Sequence, residues 1–262
     1  MRASSGVRVV GHSDRRRRAR RRRALWNGGE VLVTVGVLLM LLVVHQLWWT
    51  NREARRGAER KVEALEREWG RAGDGRGTDT GRGSASGTAP APAADSQASG
   101  RQRSYTPVVL PRRSQAYAVL TIPRLHLRVP VAEGVSKANV LDKGYVGHYP
   151  GTRQPWEAGN FALAGHRNTH GEPFRYLPRL RPGDDIEVET RSATYTYDVD
   201  KVLPQTSATD SGVVRPVPRS LVRPRYGYDE PGHYITLTTC TPEFSSRYRM
   251  VVWGKLVSVR PR

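Results

Sequence analysis

A single cysteine, Cys240, stands in 262 residues, so neither an intrachain disulfide nor a multi-cysteine zinc site is available to this chain. Acidic residues are also scarce beside basic ones, 24 against 43, for a formal net charge of +19. That balance favours a polyanionic partner such as a membrane, a wall polymer or a nucleic acid. The excess is unevenly placed: residues 1–28 hold ten Arg against one Asp, and the chain from residue 104 is only moderately basic. Two stretches are defined by what they lack. Residues 31–49 carry no formal charge, and residues 70–100 contain no Val, Ile, Leu, Met or aromatic residue. The second cannot form a core and reads as a flexible tether, about 30 Å long on average and at most roughly 100 Å when stretched.

The uncharged stretch has 19 residues, close to the hydrocarbon thickness of a bilayer when helical. Trp26 precedes it, and Trp48 and Trp49 close it as interfacial aromatics. His45, one turn from that pair, fits the same interfacial level. The Arg runs at 15–18 and 20–23 predict a cytoplasmic N-terminus and an extracellular C-terminal region. Residues 47–51 offer no small-residue cleavage site, so the expectation is an uncleaved single-pass anchor. The Arg tract then reads as a lipid-facing flank, and no nucleic-acid partner is expected. The predicted organisation is a basic tail over 1–28, an anchor over 29–50, a juxtamembrane helix and linker over 51–104, and a globular domain over 105–262. Val62, Leu65 and Trp69 recur at helical spacing, a seam suited at most to weak self-association.

The globular region reads as mostly β. Strands are expected at 117–122, 127–132, 161–164, 184–190, 193–203, 234–239 and 249–259, with a shorter one near 144–147. Short helices are expected at 137–142 and 172–180. Eight short strands with Gly and Pro punctuation favour a closed barrel or a sandwich. The Pro-rich stretch 204–232 is long for a connection in a compact domain, which marks it as functional.

Cys240 ends a strand-like run and is followed by Thr241-Pro242, so its side chain can open into a groove rather than a core. A cysteine nucleophile needs a partner that helps form the thiolate and later protonates the leaving group. Among seven histidines His166 is the best placed, directly after the apolar run 161–164 and next to Gly165. His170 is near enough in sequence to line the same groove. Attack on an amide also needs oxyanion stabilisation. Arg249 opens the last strand nine residues after Cys240, with Arg247 as its rival on the same face.

These residues resemble the sortase family of cysteine transpeptidases. The resemblance covers residues 120–257. It rests on Leu120-Thr121-Ile122-Pro123, Gly147-His148-Tyr149-Pro150-Gly151-Thr152, Ala164-Gly165-His166-Arg167, and Thr236-Leu237-Thr238-Thr239-Cys240, which fits a T-L-x-T-C signature. Arg249-Met250-Val251-Val252 looks like the strand bearing the family arginine, which selects Arg249 over Arg247. The stretch 240–247 is most similar to class E sortases of actinobacteria, although His170 stands where that class would have Tyr.

The resemblance implies an eight-stranded sortase-type β-barrel with one or two short helices. It implies Cys240, His166 and Arg249 as catalytic residues, with His170, Thr238 and Thr239 as substrate contacts. It further implies surface proteins with a C-terminal Leu-Ala/Pro-x-Thr-Gly sorting signal, cut between Thr and Gly, and a cell-wall precursor amine as acceptor. No cofactor or metal is expected. The competing readings are a membrane-tethered wall-binding module without catalysis, and an L,D-transpeptidase. The latter would want Ser-x-Gly-Cys-x-Arg around the nucleophile, where this chain has Thr-Thr-Cys-Thr-Pro.

Overall fold

A computed structural model describes residues 12–74 and 110–262. Most of the expected tether and the first residues of the expected globular domain, 105–109, lie outside them. The chain divides into two compact units, Met1–Thr50 and Asn51–Arg262. Helix α1 (His12–Asp74) contributes to both. Among the described residues it is the one helix long and apolar enough to cross a membrane, and Val31, Leu38, Leu41 and their apolar neighbours are exposed. It also outruns the expected boundary, because residues 70–74 are its last turn rather than the start of a coil.

Within the second unit, Ala54, Ala58, Val62, Leu65 and Trp69 form a buried stripe on α1, spaced as one helical face. Val62, Leu65 and Trp69 pack on Ala116, Val119, Ala132 and Val140. Glu66 pairs with Arg128, and the Arg262 guanidinium lies 4.9 Å from the Trp69 ring centroid. The seam suited at most to weak self-association is therefore covered by the chain's own barrel, within the compact unit Asn51–Arg262.

The strands are β1 (Ala116–Ile122), β2 (Leu127–Glu133), β3 (Val146–His148), β4 (Gly159–Ala164), β5 (Asp185–Thr190), β6 (Ala193–Ser207), β7 (His233–Thr241) and β8 (Tyr248–Pro261). They close in the order β1-β2-β3-β4-β7-β8-β6-β5. Pairing is parallel for β2 with β3 and for β4 with β7, and antiparallel elsewhere. All eight expected strands are present, with β6 and β8 longer than their apolar cores. β6 runs through Pro204, where the ladder with β8 shifts between Leu203 and Thr206 because Pro has no N–H to donate. The helices expected at 137–142 and 172–180 are instead single 3-10 turns, Leu141–Lys143 and Leu177–Arg179. Gly144 in left-handed conformation ends the first turn, and Pro178 constrains the second.

The barrel interior is filled by Leu120, Ile122, Val131, Phe161, Leu163, Ile186, Tyr197, Ile235, Leu237 and Val252, all nearly inaccessible to solvent. A second cluster lies outside, where Val213 and Tyr228 of the β6–β7 connection cover Leu203, Tyr234, Val251 and Trp253. β7 is thus buried on both faces. Truncating Leu65 would empty the seat of α1 on β1 and β2. Leu65→Ala should cost about 2–5 kcal/mol in denaturant unfolding of the full chain in detergent. An unchanged midpoint would show that α1 does not hold the barrel.

Candidate active site

Side chains alternate along β7. Ile235 and Leu237 enter the barrel, so Tyr234, Thr236, Thr238 and Cys240 belong to the outer face. Cys240 is half-buried, at the end of β7. Antiparallel pairing sets it directly opposite Arg249 of β8, on the same face. Parallel pairing sets Ala164 of β4 beside Thr238, and His166 and Cys240 each follow two residues later. The pairing continues past β4, because Gly165 N–H donates to the Thr238 carbonyl at 3.2 Å. A Cβ at Gly165 would lie 2.6 Å from the Phe174 ring, so glycine is required at this approach. The structure thus brings His166, Cys240 and Arg249 to adjoining chain ends on one side of the barrel.

His166 Nε2 lies 2.8 Å from Asp142 Oδ1, and His170 Nδ1 lies 3.6 Å from the same oxygen. The two imidazole centroids are 5.3 Å apart. Asp142 comes from the 3-10 turn Leu141–Lys143, which sequence reasoning assigned to an ordinary helix. Asp142, His166 and His170 are, among the described residues, the one group of three metal-ligating types with atoms all within 4.8 Å of one another. Arg167 is the second residue missed by sequence reasoning. Its Nη1 donates to the Cys240 carbonyl at 3.1 Å and to Thr241 Oγ1 at 3.0 Å. Its position directly after His166 was the available signal. A basic hollow shares Arg167 and is lined further by Arg175, Tyr176, Pro178, Arg179 and Glu243.

Arg249 donates through Nη1 to the carbonyls of Ser246 and Tyr248, at 2.8 and 3.0 Å. Both bonds use one nitrogen, which leaves the rest of the planar fork for a ligand. Arg247 precedes β8, and its guanidinium sits 5.4 Å from the Tyr248 ring centroid. Thr238 and Thr239 are almost fully buried. Their hydroxyls donate to the Leu163 and Gly165 carbonyls, at 3.2 and 2.8 Å, and Tyr149 OH meets Thr238 Oγ1 at 3.0 Å. Both threonines expected as substrate contacts therefore fasten β7 to β4 and its extension. His148 has a structural setting. Buried, it is bonded to Glu133 at 2.7 Å, to Thr152 at 2.9 Å and to the Arg153 carbonyl at 3.1 Å. Burial first, and then the Glu133 charge, push the neighbouring Tyr117 hydroxyl well above its ordinary range.

The β6–β7 connection is held in place by Asp210. Its carboxylate accepts from the hydroxyls of Thr206 and Ser220 and from Leu221 N–H. Burial alone would raise this carboxyl, but those hydrogen bonds outweigh it and hold the group below the usual carboxylate range. The connection flanks the strand face that carries Cys240 and Arg249, because Val213 accepts from Trp253 Nε1 at 3.2 Å and Tyr228 stacks on Tyr234.

A half-buried cysteine, a histidine bonded to a carboxylate and a cross-strand arginine form a constellation suited to acyl transfer. The sortase-domain family profile matches residues 120–257, and the chain belongs to this family of transpeptidases. Within it, the chain is most like the class E sortases of actinobacteria. Sortase SrtE1 of Streptomyces coelicolor is 43% identical over 225 residues, which cover 83% of this chain and 53% of that protein. Sortase SrtE2 of the same organism is 33% identical over 220 residues, 81% of this chain and 74% of the relative. The crystal structure of S. coelicolor sortase E1 with a tripeptide in its active site matches with a TM-score of 0.54 and 52% identity. It covers 58% of this chain and 94% of that one. Sortase E from Streptomyces avermitilis gives 0.51 and 39%, over 57% and 93%. The chain spans about half the length of Sortase SrtE1.

The depressed Asp210 carboxyl has a pH consequence. Its folded-state value lies below the unfolded one, so its stabilisation is present above the ordinary carboxylate range and is lost as pH falls through the folded value. Asp210→Asn should therefore melt lower than the parent at neutral pH, and the two should converge on acidification below about pH 4. Parallel melting curves across that range would remove Asp210 as the fastening of the loop.

Proposed function

We propose that this chain is a membrane-anchored cysteine transpeptidase that cuts a Leu-Ala/Pro-x-Thr-Gly sorting signal between Thr and Gly. The observation that carries the reading is the register of β7, which pairs Cys240 with Arg249 and runs beside the extension of β4 that bears His166. The Cys240 thiolate attacks the Thr carbonyl carbon, and the charge that develops on oxygen is met by Arg249. The C–N bond to Gly breaks, and His166 delivers a proton to the leaving amine. A thioester to Cys240 remains. An amine on a cell-wall precursor then attacks that carbonyl, His166 accepts the amine proton, and the thiolate leaves. Asp142, 2.8 Å from His166 Nε2, orients the imidazole. His170 lines the groove beside His166. In this reading α1 anchors the enzyme, the Arg tract keeps the N-terminus cytoplasmic and the barrel acts outside the cell.

Peptide cleavage and amine transfer by the full chain test this reading. Cys240→Ala should abolish both with melting behaviour unchanged, and residual turnover above background would remove Cys240 from the mechanism. Arg249→Lys should fail nearly as badly as Arg249→Ala, because Lys keeps the charge but loses the fork. The expected cost is about 2.7–4 kcal/mol in the barrier, roughly a hundredfold or more in rate. Near-native rates for Arg249→Lys would rule that role out.

A Leu-Ala-x-Thr-Gly peptide should show higher kcat/KM than its Leu-Pro counterpart. Only Ala offers an N–H at the second position, and a groove acceptor left without it costs about 1–3 kcal/mol. Equal values would leave the transpeptidase standing and remove the Ala preference.

A further inference from the structure

Resting on the reading of His166 as the proton carrier, we propose that the juxtamembrane turn Asn51-Arg52-Glu53-Ala54-Arg55 positions the catalytic histidine. Asn51 and Arg55 are the positioning residues. This turn grips both chain segments that build the His166–Asp142 pair. On one side is the segment after His166. His170, Gly171 and Glu172 all have positive φ, at 51°, 85° and 53°. Two of them carry side chains, for which this conformation is unfavourable, and such a run persists only when its surroundings hold it.

Those surroundings are α1. Asn51 accepts from Gly171 N–H at 3.3 Å and donates to Glu172 Oε1 at 2.9 Å. Arg55 donates through Nε to the Gly171 carbonyl at 3.0 Å and through Nη2 to Glu172 Oε2 at 2.9 Å. Both polar groups of the Gly171 backbone and both oxygens of the Glu172 carboxylate are thereby taken by two side chains one helical turn apart. Glu172 is 5% exposed, and Arg175 adds a bond at 2.7 Å from the other side.

On the other side is the Asp142 turn, whose last residue is followed by Gly144. A Cβ at Gly144 would lie 2.8 Å from the Ala54 carbonyl oxygen and 3.3 Å from the His170 carbonyl oxygen. A Cβ at Gly171 would meet Arg55 Cγ at 3.3 Å and Gly144 Cα at 3.5 Å. Helix, Asp142 turn and His170 segment thus meet backbone to backbone, and glycine is the residue that permits it.

Docking of the helix does not require these contacts, because Val62, Leu65 and Trp69 already seat it on β1 and β2. Nor is the Arg55–Glu172 pair chiefly a stability device, since Arg55 is 55% exposed and an ion pair open to water at one end contributes little. What the contacts fix is the conformation of 170–172, and through it the distance between His166, His170 and Asp142.

The test uses the full chain in detergent or nanodiscs, with a sorting-signal peptide as substrate and hydrogen exchange as a readout independent of catalysis. Asn51→Ala/Arg55→Ala should raise amide exchange at 170–172 while exchange in β1 and β2 stays as in the parent. It should lower kcat by about tenfold to a hundredfold with KM little changed, as a small misplacement of a catalytic group does. In an Asp142→Asn background the same pair of substitutions should cost less than about threefold, because the interaction they support is already gone. An equal fold-loss in both backgrounds would mean the helix acts elsewhere. Unchanged exchange at 170–172, or raised exchange with unchanged kcat, would overturn the proposal. A parent chain that leaves the peptide intact while exchange responds as expected would count against the transpeptidase reading and not against the clamp.

Discussion

The register of β7 against its two neighbours is the constraint from which the rest of the site follows. β7 runs antiparallel to β8 and parallel to β4, so the residues at its C-terminal end meet the start of β8 and the continuation of β4 together. Slipping either ladder by one residue would turn Cys240 into the barrel or move it off the level of Arg249, since strand side chains alternate between faces. That register is held on both sides. Ile235 and Leu237 are locked into the interior, and Thr236, Thr238 and Thr239 hydrogen-bond across to Asn160, Leu163 and Gly165. The T-L-T-T-C segment is in this sense a set of fasteners that ends in a thiol.

A closed barrel removes the edges of its sheet but leaves an outer surface to be covered or used. Here two stretches of it are covered, by the stripe of α1 over β1 and β2 and by the β6–β7 connection over β6, β7 and β8. The Cys240–Arg249 end of the β7–β8 ladder carries the half-buried polar groups. The carboxylates nearby have defined tasks. Asp142 meets the two imidazoles, Glu172 is wrapped by side chains of α1 and Arg175, and Asp210 ties the connection to itself. Glu172 and Asp210 are buried and would be costly to leave without those partners.

Much of this was legible in the sequence, for reasons that differ from residue to residue. Alternation in 234–239 and 249–259 revealed two strands, and the short spacing between Cys240 and Arg249 implied neighbouring antiparallel strands. Position after an apolar run beside a glycine singled out His166. Other features were not legible because they depend on a partner remote in sequence. The spacing of Val62, Leu65 and Trp69 announces a helical face but not what it faces, and the barrel proved to be its partner. Asp142 lies 24 residues from His166, and nothing local distinguishes it from a helical surface acid. The stretches 137–142 and 172–180 have the composition of short helices. Gly144, Gly171 and the tertiary contacts they permit override that local preference. Thr239 belongs to the T-L-x-T-C signature and Thr238 fills its variable position, but both hydroxyls bond to the strand beside them.

The central claim is that Cys240 carries the acyl group between the two halves of the reaction. Intact-mass measurement of the full chain, quenched in acid soon after mixing with a sorting-signal peptide and no amine acceptor, tests it most directly. The account predicts a mass increase equal to the peptide through its Thr acyl group, without the Gly portion. It further predicts that proteolytic mapping puts the adduct on Cys240 and that an added amine discharges it. Peptide cleavage with no adduct on Cys240 under any quench time, or an adduct on another side chain, would contradict it.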